Sequence, residues 1–153
     1  MDLRGKAVVI VGLGKSGISA AKLCSAQGAH VVATDRARLE QLSRELRGLQ
    51  VELKLGGHDE VDFLGADLVV VSPGVPSFPE LEAAEAAGVP VVGELELALR
   101  FVSAPVIAVG GTNGKSTTTT LLGHLFEAAE RRVFVGGNLG VPVSDAVGTD
   151  LEL

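Results

Sequence analysis

The chain of 153 residues is long enough for one full domain and part of another, and its 46% hydrophobic content supplies a packed core and argues against disorder. A formal net charge of -6 disfavours nonspecific binding to DNA or anionic membranes, and the lack of Trp and Tyr argues against a stacking platform for single-stranded nucleic acid. The apolar runs are broken by Gly, Pro or charge, so no membrane span is expected and the start has no signal-peptide pattern; the single cysteine, Cys24, fits a reducing cytoplasm and excludes a Cys-rich zinc site.

Ala7–Val11 is continuously apolar and rich in Val and Ile, which predicts a parallel strand buried on both faces. The turn Gly12–Gly17 follows, then a helix over roughly Ser16–Gln27, with Ile18, Ala21 and Leu23 on its apolar side and Gly28 as its stop. Val31–Thr34 predicts a second strand, Leu39–Leu46 a helix with a charged outer face, and Val51–Leu55 a third strand. Gly56–Asp59 reads as a polar loop that leaves His58 exposed. Asp67–Val71 predicts another buried strand, ending in the turn Ser72–Pro76. Glu80–Ala87 is an Ala/Glu helix stopped at Gly88, Val89–Val92 a short strand and Glu94–Val102 a helix. Strands alternating with helices imply an α/β fold with a parallel sheet and right-handed crossovers.

Ser103-Ala104-Pro105 marks a boundary. Beyond it Val106–Val109 predicts a strand, Lys115–Ala129 a helix and Val133–Val135 a further strand. Residues 1–103 are therefore expected to form a Rossmann-like domain, and residues 104–153 the incomplete start of a P-loop ATPase α/β domain. So short a second unit cannot cover both faces of a sheet, and the chain is expected to be a piece of a longer protein.

Two glycine constellations carry the chemistry. Gly12-Leu13-Gly14-Lys15-Ser16-Gly17 matches G-x-G-x-x-G between a buried strand and a helix. Gly12 permits the tight turn, Gly14 lets a phosphate approach the backbone, and Gly17 lets helix and strand pack closely. The helix start presents free N–H groups to an anion. Asp35 lies 18 residues after Gly17, at a strand end, where an acid can accept a ribose hydroxyl.

The second constellation is Gly110-Gly111-Thr112-Asn113-Gly114-Lys115-Ser116-Thr117. Its backbone N–H groups suit phosphate oxygens, Lys115 reaches the β- and γ-phosphates, Ser116 offers a hydroxyl to Mg²⁺, and Thr117 stands beside them. The strict G-x-x-x-x-G-K-[ST] pattern is not met, because its first position falls on Val109, so the loop is a shortened variant. Two phosphate sites on consecutive units point to an enzyme that consumes a triphosphate to act on a nucleotide-linked substrate. An NAD(P)-dependent oxidoreductase and a non-catalytic nucleotide-binding module are the alternatives. Cys24 reads as a small buried hydrophobe, and no His/Cys/carboxylate cluster has metal-ligand spacing, so magnesium would arrive with the nucleotide.

Gly111–Thr117 resembles the phosphate loop of the Mur ligases and the related folylpolyglutamate synthases. Gly12–Gly17, Ser72–Pro76, Gly93-Glu94-Leu95-Glu96-Leu97 and Gly136-Gly137-Asn138-Leu139-Gly140-Val141-Pro142 resemble, in the same order, the D-glutamate-adding branch of the Mur ligases. The resemblance implies a cytoplasmic step of peptidoglycan synthesis using ATP and Mg²⁺. The carboxylate of UDP-N-acetylmuramoyl-L-alanine is phosphorylated, and the amine of D-glutamate attacks the acyl phosphate, giving an amide, ADP and phosphate. It implies that Gly111, Thr112, Asn113, Gly114, Lys115, Ser116 and Thr117 hold ATP, with Lys115 offsetting charge on the transferring phosphoryl group. It also implies that the first unit binds the UDP moiety and no redox cofactor. Gly14, Lys15 and Ser16 would face the diphosphate and uridine, Thr34, Asp35 and Arg36 the uracil and ribose, Gly74 the nucleotide through its backbone, and Asn138 the reacting end. Lys15 departs from the family pattern, where an apolar residue is common. The family's later magnesium-binding Glu, its His, its carbamylated Lys and its D-glutamate domain are not in these 153 residues, so the chain alone is expected to have no ligase activity.

Overall fold

The structure, a computed structural model, describes residues 1–38, 49–137 and 140–152. The helix expected over Leu39–Leu46 and the residue Asn138 lie outside the described residues.

Among the described residues, five parallel strands form one sheet: β1 (Ala7–Val11), β2 (His30–Asp35), β3 (Glu52–Leu55), β4 (Leu68–Val71) and β5 (Val91–Gly93), in the order β3-β2-β1-β4-β5. β1 is central and pairs with both β2 and β4, with Val8 opposite Val31 on one side and Leu68 on the other. That position explains its unbroken apolar sequence, since both of its faces are covered. Val8 and Ile10 join Leu68, Val70, Ile18, Ala21 and Leu97 in one core cluster. Val9 and Val11 turn the other way, to Val69, Phe78, Leu81 and Ala84.

Among the described residues, three helices cover the sheet. α1 (Lys15–Ala26) and α3 (Glu94–Leu99) contribute to the first cluster, and α2 (Pro79–Ala86) to the second. α2 starts with Pro79 at its first turn, where a missing N–H costs nothing, and Glu80 and Glu82 place negative charge at its positive end. α3 stops at Leu99, three residues earlier than its sequence pattern implied, because the N–H groups of Arg100 and Phe101 bond only three residues back, to the Leu97 and Ala98 carbonyls, which tightens the last turn. Cys24 is buried in the first cluster, and burial pushes its thiol up to about 12.

All five strands precede residue 103. Beyond it stand α4 (Lys115–Ala128) and a short 3-10 turn, Val143–Ala146. The strands expected at Val106–Val109 and Val133–Val135 are not formed. A parallel strand is held by ladder bonds to its neighbours, and among the described residues neither segment meets such a partner. They line a hollow of about 340 Å³ instead, together with Leu122 and Phe126 of α4, and Val106 and Ile107 remain half exposed. The 3-10 turn packs on α1 and α3, and Val147 just after it lies against the first core cluster. The later chain thus returns to complete the packing of the earlier unit.

Candidate functional site

An open α/β sheet binds ligands at the carboxyl ends of its strands, where the strand order reverses. Here that point is the gap between the turns after β1 and β4. Both turns are built as one piece, because the Ser72 hydroxyl donates to the Gly12 carbonyl at 2.8 Å in a buried contact. A Cβ on Gly17 would lie 1.8 Å from the Gly12 oxygen and 2.6 Å from Ser72 Oγ, so no other residue fits. A Cβ on Gly12 would meet Val75 Cγ2 at 2.6 Å. Gly14 differs: its hypothetical Cβ has nothing within 4 Å, and it caps α1 with no side-chain hydrogen bond. The first N–H groups of α1 are therefore uncapped by side chains and lie beside an open backbone. Lys15 and Gly74 are exposed at the same edge, and Ser16 is half-buried.

The acid side of this site is already engaged. Asp35 accepts the Leu13 N–H at 2.6 Å and the Ala37 N–H at 2.7 Å, which fixes the glycine turn to the end of β2. Each carboxylate oxygen keeps further lone pairs for a ligand hydroxyl. Thr34 is fully buried, and its hydroxyl donates to the Gly57 carbonyl at 3.1 Å and contacts His58 Nδ1 at 2.9 Å. Thr34 therefore orders the loop behind the site, while Arg36 beside it is exposed.

His58 corrects the sequence reading, which left it exposed in a polar loop. It is 8% exposed, and its ring stacks on Phe78 with centroids 4.7 Å apart and planes at 17°. Burial, and then the nearby Arg36 charge, push its pKa below the usual histidine value. The loop turns it inward because the Gly56 N–H extends the β2 contact by bonding the Asp35 carbonyl at 2.9 Å. The sequence signal was the pair Gly56-Gly57, read only as a loop marker.

The second site stands at the start of α4. Gly114 caps this helix with φ of 78°, a left-handed conformation that favours glycine, and makes no side-chain cap bond. The Thr118 N–H bonds the Gly114 carbonyl at 2.9 Å, so the N–H groups of Lys115, Ser116 and Thr117 precede the helix's own ladder. Lys115 bends back over the loop and donates from Nζ to the carbonyls of Gly111 and, at 3.0 Å, Thr112. The ammonium thereby lies against the Gly111 and Thr112 carbonyls, and Gly111, Thr112, Asn113 and Gly114 are all exposed. Ser116 and Thr117 are exposed at its helical side. This donor set of backbone N–H groups, one ammonium and one hydroxyl suits a polyphosphate. Ser116 provides a single oxygen for a magnesium ion, and among the described residues no group of three His, Cys, Asp or Glu could hold a metal. His124, farther along α4, is exposed and contacts Glu127 at 3.2 Å.

Sheet order and site geometry together define an α/β protein with two glycine-capped helix starts, one at the switch point of a parallel sheet and one at α4. Residues 6–93 match the family model described as Mur ligase MurD-like, N-terminal domain, and the chain belongs to this family. It is 55% identical over 150 residues to the UDP-N-acetylmuramoylalanine--D-glutamate ligase of Anaeromyxobacter dehalogenans (strain 2CP-C), covering 95% of this chain and 32% of that protein. To the ligase of the same name from Trichlorobacter lovleyi it is 51% identical, covering 95% of this chain and 33% of that protein. The chain therefore spans about a third of the length of these relatives. Among solved structures, UDP-N-acetylmuramate-alanine ligase MurC from Thermotoga maritima aligns with TM-score 0.52 at 26% identity, covering 86% of this chain and 32% of that one. A murein peptide ligase from Psychrobacter arcticus aligns with TM-score 0.54 at 25% identity, covering 90% of this chain and 31% of that one.

Proposed function

We propose that this chain is the nucleotide-handling part of an ATP-dependent amide ligase that joins D-glutamate to UDP-N-acetylmuramoyl-L-alanine in the cytoplasm, during peptidoglycan synthesis. The observation that carries the proposal is the pair of glycine-capped helix starts at α1 and α4, each with its first N–H groups free of side-chain caps. Family membership and the names of the relatives support the same reading.

In this reading residues 1–103 hold the UDP moiety. Gly14 admits the diphosphate to the backbone, Lys15 and Ser16 flank it, Asp35 and Arg36 border the ribose and base, and Thr34 supports them from behind. Gly74 approaches from the other side of the switch point, and Asn138 serves the reacting end. Residues 104–153 contribute Gly111–Thr117 to the ATP site. Bound ATP with Mg²⁺ supplies the phosphoryl group that converts a poor acyl donor, a carboxylate, into a good one. Lys115 places a positive charge over the β- and γ-phosphates, and Ser116 offers its oxygen to the metal.

Fluorescence titration of the chain with a labelled ATP analogue and Mg²⁺ tests the second site. Lys115→Ala is expected to weaken binding at least tenfold, since a charge-assisted contact to phosphate is removed. Equal affinity in wild type and variant would reject Lys115 as the phosphate ligand. With ATP, UDP-N-acetylmuramoyl-L-alanine and D-glutamate all present, the chain alone is expected to release no phosphate.

A further inference from the structure

The segment Gly93–Leu97 has no role in the nucleotide sites described above, yet it contains a buried carboxylate. Glu94 is 3% exposed. Its Oε1 accepts both the backbone N–H and the hydroxyl of Ser144, each at 2.7 Å, across fifty positions of sequence. The next residue, Asp145, accepts the hydroxyl of Ser19, which is itself buried on α1. Ser144 and Ala146 are buried between these contacts. Both anchors stand near the carboxyl edge of the sheet. Glu94 follows directly on β5, and Ser19 lies one helical turn beyond Lys15. The chain entering the turn is itself closed by a bond from the Gly137 N–H to the Val141 carbonyl at 2.8 Å.

We propose that Glu94 and Ser19 are positioning residues that latch the Val143–Ala146 turn onto the first unit, and thereby set where Gly140 and Val141, just before that turn, stand relative to the Gly12–Gly17 turn. The positioning role rests on reading that turn as the site of a UDP-linked substrate. UDP alone touches only the first unit. A substrate whose far end extends toward the second unit also depends on the latch.

The test compares wild type with Glu94→Ala, Glu94→Gln and Asp145→Ala. Asp145 is exposed, so its variant keeps the fold even if loss of Glu94 does not. The first readout is amide hydrogen exchange over residues 141–148, which includes the Ser144 N–H that Glu94 accepts. Glu94→Ala and Asp145→Ala are expected to speed exchange there at least tenfold while β1 and β2 stay protected. Glu94→Gln, whose amide oxygen still accepts that N–H, is expected to restore most of the protection. Unchanged exchange in both Ala variants overturns the latch. The second readout is calorimetric affinity for UDP and for UDP-N-acetylmuramoyl-L-alanine. The Ala variants are expected to bind UDP within threefold of wild type and the longer ligand at least tenfold more weakly. Equal losses for both ligands overturn the positioning role. If wild type binds neither ligand, the reading of the Gly12–Gly17 turn fails and takes the positioning role with it, while exchange still decides the latch.

Discussion

Gly14 and Gly17 lie three residues apart in one turn, and the surrounding atoms constrain them in opposite ways. A methyl group on Gly17 collides with the Gly12 carbonyl and Ser72, both inside the packed switch point. Gly17→Ala is expected to destabilise the chain by at least about 1–3 kcal/mol, measured by urea unfolding. A methyl group on Gly14 meets nothing within 4 Å, and the backbone there has φ of -70°, which alanine adopts freely. Gly14→Ala should therefore unfold like wild type and lose at least tenfold in UDP affinity, because the space it fills is the ligand's. The sequence motif already set Gly17 apart for close helix–strand packing and Gly14 for an approaching ligand; the packing adds that Gly17 is enclosed while Gly14 faces open space. His58 marks the limit of sequence reading at this scale. Its burial depends on Thr34 and Phe78, which lie twenty or more positions away and carry no local pattern. Its lowered pKa also makes a pH prediction. The unfolded chain takes up the histidine proton near pH 6.5, whereas the folded chain resists until a lower pH. The His58 contribution to stability is thus complete above that range and is lost as pH falls from about 6.5 toward the folded value. Urea unfolding at pH 7.5 and 5.5 should show a smaller drop for His58→Phe than for wild type; an identical drop would contradict the assignment.

At the scale of elements, Ala7–Val11 and Val106–Val109 have nearly the same composition and different fates. The first becomes the central strand because β2 and β4 supply ladder bonds and two helical layers cover its faces. The second has no strand beside it among the described residues, so apolar composition alone does not make it a strand. Apolar runs report a preference for burial; pairing depends on what else is present. Ile10 is fully buried and Ile107 half exposed, so Ile10→Ala should cost about 2–5 kcal/mol and Ile107→Ala no more than about 0.5 kcal/mol in the same unfolding assay. Amides of Val8–Val11 should exchange far more slowly than those of residues 106–109. The helices were legible to within a residue or two where a glycine or proline punctuates them, as at Pro79 and Gly88. α3 ended early because its last turn tightens to bonds three residues back, a backbone choice with no side-chain signature.

At the scale of the whole molecule, the two glycine loops were readable from sequence because each compresses its chemistry into fewer than ten consecutive residues. The contact joining the two parts of the chain was not readable, since Glu94 and Ser144 are fifty positions apart and the motif Gly93–Leu97, which contains Glu94, carries no sign of its partner. The fold and family place an open parallel sheet of the Mur ligase N-terminal type at the start of the chain, and the proposed ligand of that sheet is a UDP-linked carboxylate. Calorimetry of the 153-residue chain with UDP-N-acetylmuramoyl-L-alanine and, separately, with NADH tests this most directly. One molecule of the UDP-linked substrate is expected to bind per chain, with no detectable binding of NADH; tight NADH binding without the UDP-linked substrate would contradict the proposed function.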